Sequence, residues 1–326
     1  MGTKEKLLDV FEKNKGAYFS GEELAEKLSV SRTAVWKAVN SLRKEGYKIH
    51  AVQNKGYCLS ADTDILSSQG IAKYLEPVCS AIELHVLPET ESTNDYLREM
   101  AVQGMSEGYT VIAGTQTVGK GRTGRSFYSP EDTGIYMSLL LRPENCSPNR
   151  AVKFTTMAGA AACEAIRQVS GREPQIKWVN DIYMEGRKVS GILTEGAVSL
   201  ETGSLEYVIL GIGINVYPPR KGFPKELRET AGAVFKEQIS DGKNRLAGEF
   251  LNSFMNFYRD QGETDYREGY KRRSMVLGKE IQVLAPSGVR KARALDIDQD
   301  CRLLVEYEDR SREWLTAGEI RILNLE

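Results

Sequence analysis

Between residues 114 and 125 the chain reads Gly-Thr-Gln-Thr-Val-Gly-Lys-Gly-Arg-Thr-Gly-Arg, four glycines and three cations in twelve positions. Glycine loses more backbone freedom on ordering than any other residue, so this density excludes a stable helix. The segment therefore reads as a loop, following directly on a strand-like run at residues 110–117. Amides flanked by glycine and side chains carrying positive charge together suit a bound anion. Gly114, Gly119 and Lys120 stand in register with the Walker A pattern, but Gly121 occupies the place of the hydroxyl that must ligate Mg²⁺. Arg122 cannot replace that hydroxyl, so a P-loop NTPase is excluded. A surface loop without a role is the plain alternative, although ordering such a loop without an anion is costly.

A second polar cluster follows at Lys177-Trp178-Val179-Asn180-Asp181, then a turn at Glu185-Gly186 and the run Arg187-Lys188-Val189-Ser190-Gly191-Ile192. The pattern predicts a hairpin whose strands end in polar residues. Lys177 and Asp181 can be read as a surface ion pair, the commonest account of such neighbours. Beside a glycine–arginine loop, Lys188 is suited to a carboxylate or phosphate as a point charge, and Asp181 to Mg²⁺ or to that lysine. Gly211-Ile212-Gly213-Ile214-Asn215 lacks the third glycine of a dinucleotide fingerprint, and close backbone approach to a ligand or helix explains it equally well.

The fold class expected is α+β in three segments, with boundaries at 1–62, 63–273 and 274–326. In the first, Leu7, Leu8, Val10 and Phe11 predict a helix ending near Gly16. Ser20-Gly21-Glu22-Glu23 reads as a capping box opening a second helix, and Ser31 caps a third. That third helix turns Val35, Val39 and Leu42 inward and Arg32, Thr33, Trp36, Lys37, Asn40 and Lys44 outward. A hairpin turning at Gln53-Asn54-Lys55-Gly56 completes a winged helix. Residues 1–60 hold eleven Lys/Arg against seven Asp/Glu, within a chain of net charge −1. This local surplus favours DNA, with Ser31, Arg32, Thr33, Trp36, Lys37, Asn40 and Lys55 as candidate contacts; a protein-binding helical module is the alternative. Residues 61–64 read as a polar linker. A central mixed α/β domain follows, without a regular βαβ rhythm and with a long, Ala-rich helix at 149–169. From Gly278, five short strand patterns broken at residues 286–288, 298–300, 309–310 and 317–318 predict a small SH3-like barrel, in which no cluster of chemistry-bearing residues is visible.

Five scattered cysteines, never in a CxxC pair, and two histidines argue against a disulfide framework and a zinc site. No apolar run reaches the roughly 18 residues that span a bilayer, and the first nine residues lack a signal-peptide pattern. The expected location is cytoplasmic, with no membrane contact.

Glu91-Ser92-Thr93-Asn94, the Gly119–Arg125 loop, Lys177–Asp181, Arg187–Ile192 and Gly211–Asn215 occur in the order seen in biotin–protein ligases. With the winged helix in front, the chain resembles the bifunctional biotin ligase/biotin operon repressors over essentially its whole length. That resemblance implies ATP, biotin and Mg²⁺, with formation of biotinyl-5′-AMP and transfer of biotin to a lysine of a biotin carboxyl carrier protein. The carrier would be the biotin domain of an acetyl-CoA or pyruvate carboxylase. It further implies operator DNA as a partner and a homodimer. By the resemblance, Ser92, Thr93, Asn94 and Gln116 would meet biotin, with Lys120, Gly121 and Arg122 closing over it. Lys188 would bridge carboxylate and phosphate, and Lys188, Arg122 and Asp181 would carry catalysis, Asp181 serving the metal or the acceptor-lysine step. Gly119, Lys120, Arg122, Arg125, Lys188, Asn215 and Phe223 would contact the nucleotide. The family often has Arg where this loop has Lys120, which removes a bidentate fork. Two other readings compete: a non-enzymatic repressor sensing a small acid, and a ligase for lipoate or octanoate.

Overall fold

Ser20 accepts a hydrogen bond from the Glu23 amide at 3.1 Å while its own amide donates to the Glu23 carboxylate at 2.6 Å, so the predicted capping box is formed. In the computed structural model, which describes residues 2–260, 266–285 and 288–323, it opens the second of three N-terminal helices. These are α1 (Thr3–Lys13), α2 (Gly21–Leu28) and α3 (Arg32–Lys44). Ser29 takes a left-handed conformation between α2 and α3, and Ser31 accepts from the Ala34 amide at 3.1 Å. Leu7, Phe11, Leu24, Val35, Val39 and Leu42 form a common core. The antiparallel strands β1 (Ile49–Val52) and β2 (Gly56–Leu59) form the wing, with Ile49 opposite Leu59.

The chain divides into two compact units, Met1–Leu75 with Glu237–Gly248, and Glu76–Lys236 with Glu249–Glu326. The first unit therefore includes α4 (Ser68–Ala72) and the opening turns of α7 (Gly242–Arg259). The stretch expected to be a polar linker is packed within it. Thr63 and Asp64 are buried, the Lys243 amide donates to Asp64 at 2.8 Å, and Lys15 Nζ donates to the Thr63 carbonyl at 2.8 Å. The reason is local: the amides that open α7 need acceptors, and the Asp64 carboxylate supplies one.

In the second unit, the strands of the central sheet are β3 (Glu83–Thr90), β4 (Tyr109–Gln116), β5 (Gly134–Leu141), β6 (Gln175–Lys177), β7 (Asp181–Met184), β8 (Arg187–Val198) and β9 (Leu205–Asn215). They form one mixed sheet in the order β3-β4-β5-β9-β8-β7-β6, parallel only between β3 and β4. Helix α5 (Thr93–Val102) packs on it through Leu97 and Ala101. The Ala-rich helix α6 (Ala151–Ser170) hydrogen-bonds β8 from Thr155 to Thr194 at 2.7 Å, and its Gly159 leaves only 3.4 Å between a would-be Cβ and Tyr270 on α8 (Tyr266–Arg272). The small residues of α6 thus serve close packing.

The C-terminal strands β10 (Glu280–Ala285), β11 (Gly288–Ile297), β12 (Leu303–Tyr307), β13 (Arg312–Leu315) and β14 (Glu319–Ile322) form an antiparallel sheet ordered β13-β12-β11-β10-β14. Hydrogen bonding leaves β13 and β14 as edges, so the barrel is open at that seam. Of the expected break at residues 286–288, Pro286 and Ser287 lie outside the described residues. No helix among the described residues is long and apolar enough to cross a membrane.

Candidate active site

The ends of β4, β7, β8 and β9, the start of α5 and the glycine–arginine loop surround one cavity of about 470 Å³. The strand expected over residues 110–117 is β4, which carries Gly114 to Gln116, so the loop proper starts after Gln116. From there it folds back on itself: the Phe127 amide donates to the Gly119 carbonyl at 2.9 Å and the Gly121 amide to the Arg125 carbonyl at 2.7 Å. A Cβ on Gly119 would lie 2.3 Å from the Phe127 carbonyl oxygen, and Gly124 holds a φ of 75°. The glycines are required by the hairpin's tightness, which brings Lys120, Gly121, Arg122 and Arg125 to the cavity wall.

One end of the cavity is a buried polar network. Gln116 Oε1 accepts from the Thr93 amide at 2.9 Å and from its hydroxyl at 3.1 Å, while Gln116 Nε2 donates to Ser129 at 3.0 Å. Ser138 lies between Thr93 Oγ1, at 2.8 Å, and Asn94 Oδ1, at 2.6 Å. Asn94 Nδ2 donates to Glu195 at 2.7 Å. Asn94 lines the cavity, yet its amide is committed to protein partners. Ser92 caps the approach to α5 without a side-chain bond to that helix.

The other end is charged. Lys188 Nζ lies 2.6 Å from Asp181 Oδ1, so the ion partner of Asp181 is Lys188 across the β7–β8 hairpin and not its strand neighbour Lys177. Asn180 accepts from Arg122 at 3.0 Å and donates to Asp181 at 3.1 Å and to the Ile192 carbonyl at 3.0 Å. Lys120 pairs with Asp95 at 2.6 Å, and Arg125 with Glu319. Burial alone would raise the Asp95 carboxyl, but hydrogen bonds from Lys120 and Arg98 outweigh it and hold the group below its ordinary value. Burial also pushes the Lys177 amine down, against the pull of Asp181.

The cavity floor is glycine. A Cβ on Gly211 would sit 2.1 Å from Asn94 Oδ1 and one on Gly213 2.4 Å from the Phe127 ring. The close approach expected of the 211–215 motif is thus to helix α5 and to the loop's aromatic residue.

Three sequence candidates are not brought to the cavity wall. Gly119 is turned under the Phe127 carbonyl. Asn215 ends β9 with its amide donating to the Gly232 carbonyl at 3.0 Å, and Phe223 lies beyond it in the 216–236 segment. That segment nevertheless runs beside Lys188, whose amide donates to the Thr230 carbonyl at 2.8 Å and whose carbonyl accepts from the Gly232 amide at 2.8 Å. Sequence reasoning missed Phe127, Asn180 and the C-terminal contribution of Leu284, Ala285, Gly318, Glu319 and Ile320 to the wall, and Asp95 as the ion partner of Lys120. Only Asn180 carried a signal, as the neighbour of Asp181 in a polar strand end.

Residues 86–215 match the Biotin/lipoate A/B protein ligase family, residues 3–58 an HTH domain and residues 276–322 the Biotin protein ligase C terminal domain. The Bifunctional ligase/repressor BirA of Bacillus spizizenii is 34% identical over 312 residues, covering 94% of this chain and 94% of that protein. The Bifunctional ligase/repressor BirA of Escherichia coli is 28% identical over 316 residues, 95% of each. Among solved structures, a biotin protein ligase from Aquifex aeolicus in complex with biotin and ATP shares the fold. Its TM-score is 0.61 at 24% identity, covering 74% of this chain and 98% of that one.

Proposed function

Because the chain belongs to the family of bifunctional biotin ligase/repressors, we propose that the cavity between Gln116 and Lys188 is where it makes and holds biotinyl-5′-AMP. The protein is an ATP-dependent biotin–protein ligase that also carries a repressor's helix-turn-helix. The observation that carries the site assignment is the cavity's polarity: a neutral hydrogen-bonding network at one end and three paired cations at the other.

Ser92, Thr93 and Gln116 offer the donors and acceptors that a ureido group needs, and Asn94 positions them from behind. At the charged end a biotin carboxylate oxygen attacks the α-phosphorus of ATP, and pyrophosphate leaves. Lys188 lies where it can meet both carboxylate and phosphate, and Arg122, held by Asn180, adds a second charge over the developing anhydride. In the second step the ε-amine of a carrier-protein lysine attacks the anhydride carbonyl and AMP departs. No protein nucleophile is required, so rate comes from positioning and charge. The residues fit a magnesium ion arriving with ATP: Asp181 Oδ2 has no hydrogen bond among the described residues, and one carboxylate with phosphate oxygens is a set that Mg²⁺ accepts. When bound, the ion would neutralise phosphate charge. Asn215 holds the strip beside Lys188, and we assign Phe223 and the 216–236 segment to the adenine end, with Gly119 shaping the loop and Arg125 contacting phosphate.

The proposed domains are 1–62, 63–273 and 274–326. We place the protein in the cytoplasm, binding its operator as a homodimer through Ser31, Arg32, Thr33, Trp36, Lys37, Asn40 and Lys55, and modifying the carrier domain of a biotin-dependent carboxylase. The test is pyrophosphate exchange into ATP with biotin, lipoate and octanoate in turn. Exchange with biotin is expected; exchange with none sinks the site assignment, and exchange with lipoate alone moves it to another acyl group.

A further inference from the structure

The outer face of α3 presents one large apolar group in a field of positive charge. Trp36 is 56% exposed, and no hydrogen bond or ring contact ties it to another described residue. It lies one turn in from the helix N-terminus, with Arg32 four residues before it and Lys37 beside it. The helix holds Arg32, Lys37, Arg43 and Lys44 and no acidic residue. Arg43 is committed elsewhere, donating to the Ile49 carbonyl at 3.0 and 2.7 Å, and Lys44 ends the helix eight residues beyond Trp36, so Arg32 and Lys37 are the cations that flank the indole. The opposite face is fully packed, with Val35, Val39 and Leu42 at 0% exposure, so the indole cannot turn inward. Beside the helix, the wing is fixed by Gly56, where a Cβ would lie 2.0 Å from the Phe19 carbonyl oxygen.

We infer that Trp36 reads a thymine methyl group in the DNA major groove; the inference rests on the operator-binding role proposed above. An acid-free cationic helix is complementary to a polyanion, and the first turns of such a helix meet base edges. On those edges the major groove displays hydrogen-bond donors and acceptors and a single apolar group, the thymine 5-methyl. An indole set against guanine or cytosine would strip water from donors or acceptors and replace few of their hydrogen bonds, whereas its apolar face matches a methyl. Contact with phosphate would use only the indole N–H, a task that Arg32 and Lys37 perform with full charges.

The experiment takes the full chain with biotin and ATP, enriches binding duplexes from a random 40-base-pair pool, and replaces each thymine of the enriched site singly by uracil, which differs only by the methyl. In each half-site one thymine is expected whose replacement weakens binding about 3- to 10-fold, the effect of losing one buried methyl. Trp36→Ala should weaken the parent duplex by a similar factor and abolish the difference between thymine and uracil, while Trp36→Phe keeps part of it. A thermal melt unchanged in Trp36→Ala shows that folding is intact. If duplexes are enriched but no uracil replacement is felt, or the sensitivity persists in Trp36→Ala, the inference is overturned while operator binding stands. Failure to enrich any duplex overturns the operator role itself, and loss of self-association with unaltered DNA binding assigns Trp36 to a protein contact instead.

Discussion

Lys120, Arg122, Arg125 and Lys188 each have a counter-charge or amide at the cavity, and this determines what their removal does. Lys188→Ala leaves Asp181 facing the incoming phosphates, so pyrophosphate exchange should fall at least about 100-fold, the usual cost of losing one transition-state donor. Exchange surviving at wild-type rate would remove Lys188 from the mechanism. Arg122→Gly takes away one charge-assisted contact, and the adenylate should leave about 10- to 100-fold faster, seen as free biotinyl-AMP in a filter assay. Asn180→Ala should do the same more weakly, because it only loosens Arg122 from its 3.0 Å contact. Gly213→Ala would push the Phe127 ring from a 2.4 Å approach and cost about 1–3 kcal/mol in packing, read as weaker biotin binding by calorimetry. Unaltered biotin affinity in that variant would mean the glycine floor does not shape the ligand site.

At the scale of elements, the first unit is joined by buried charge as well as by its core. Glu12 on α1, Lys15, Lys73 at the end of α4 and Asp241 just before α7 alternate in sign: Glu12 meets Lys73 at 2.8 Å and Lys15 at 3.1 Å, and Asp241 meets Lys15 at 2.8 Å and also Lys73. Tyr74 and Asn244 also donate to Asp241, at 2.6 and 2.9 Å. Burial alone would raise the Asp241 carboxyl, but these four hydrogen bonds outweigh it and hold it below 3.8. Burial would likewise lower Lys73, and its two carboxylates overcome this and hold it above 10.5. Asp241 therefore stabilises the fold above the ordinary carboxylate pKa and loses that contribution as pH falls through its depressed value. Lys73 stabilises below the ordinary lysine pKa and loses its contribution as pH rises through the raised one. Asp241→Asn should cost about 1–3 kcal/mol near neutral pH, because it leaves Lys15 and Lys73 to share the single carboxylate of Glu12, and much less in strong acid. A denaturant midpoint that moves equally at all pH values would show that the cluster carries no linkage.

For the whole molecule, deletion of residues 1–62 is expected to remove operator binding and to keep biotin transfer at 25 °C. It also removes Glu12 and Lys15 from the charged cluster and uncovers Thr63 and Asp64, so the remaining chain should melt several degrees lower. A ligase inactive at 25 °C would mean that the N-terminal module is needed for the chemistry. Within the second unit, the β14 edge of the C-terminal sheet reaches the cavity, where Glu319 pairs with Arg125.

The sequence by itself determined the elements whose signals are local. Ser20 with Glu23, and Ser31 before the apolar stripe of α3, placed helix starts through bonds spanning three residues. The Asn54–Gly56 turn placed the wing, and the glycines of the 119–125 loop announced a backbone no other residue adopts as readily. Motif order placed the chain in its family. Only the tertiary structure decided the pairings, because charge attracts without regard to chain distance: Asp181 chose Lys188 over Lys177, Arg125 chose Glu319, and Asp95 took Lys120. The same holds for Gly211 and Gly213, whose need for a missing Cβ comes from Asn94 and Phe127, neighbours that only folding supplies.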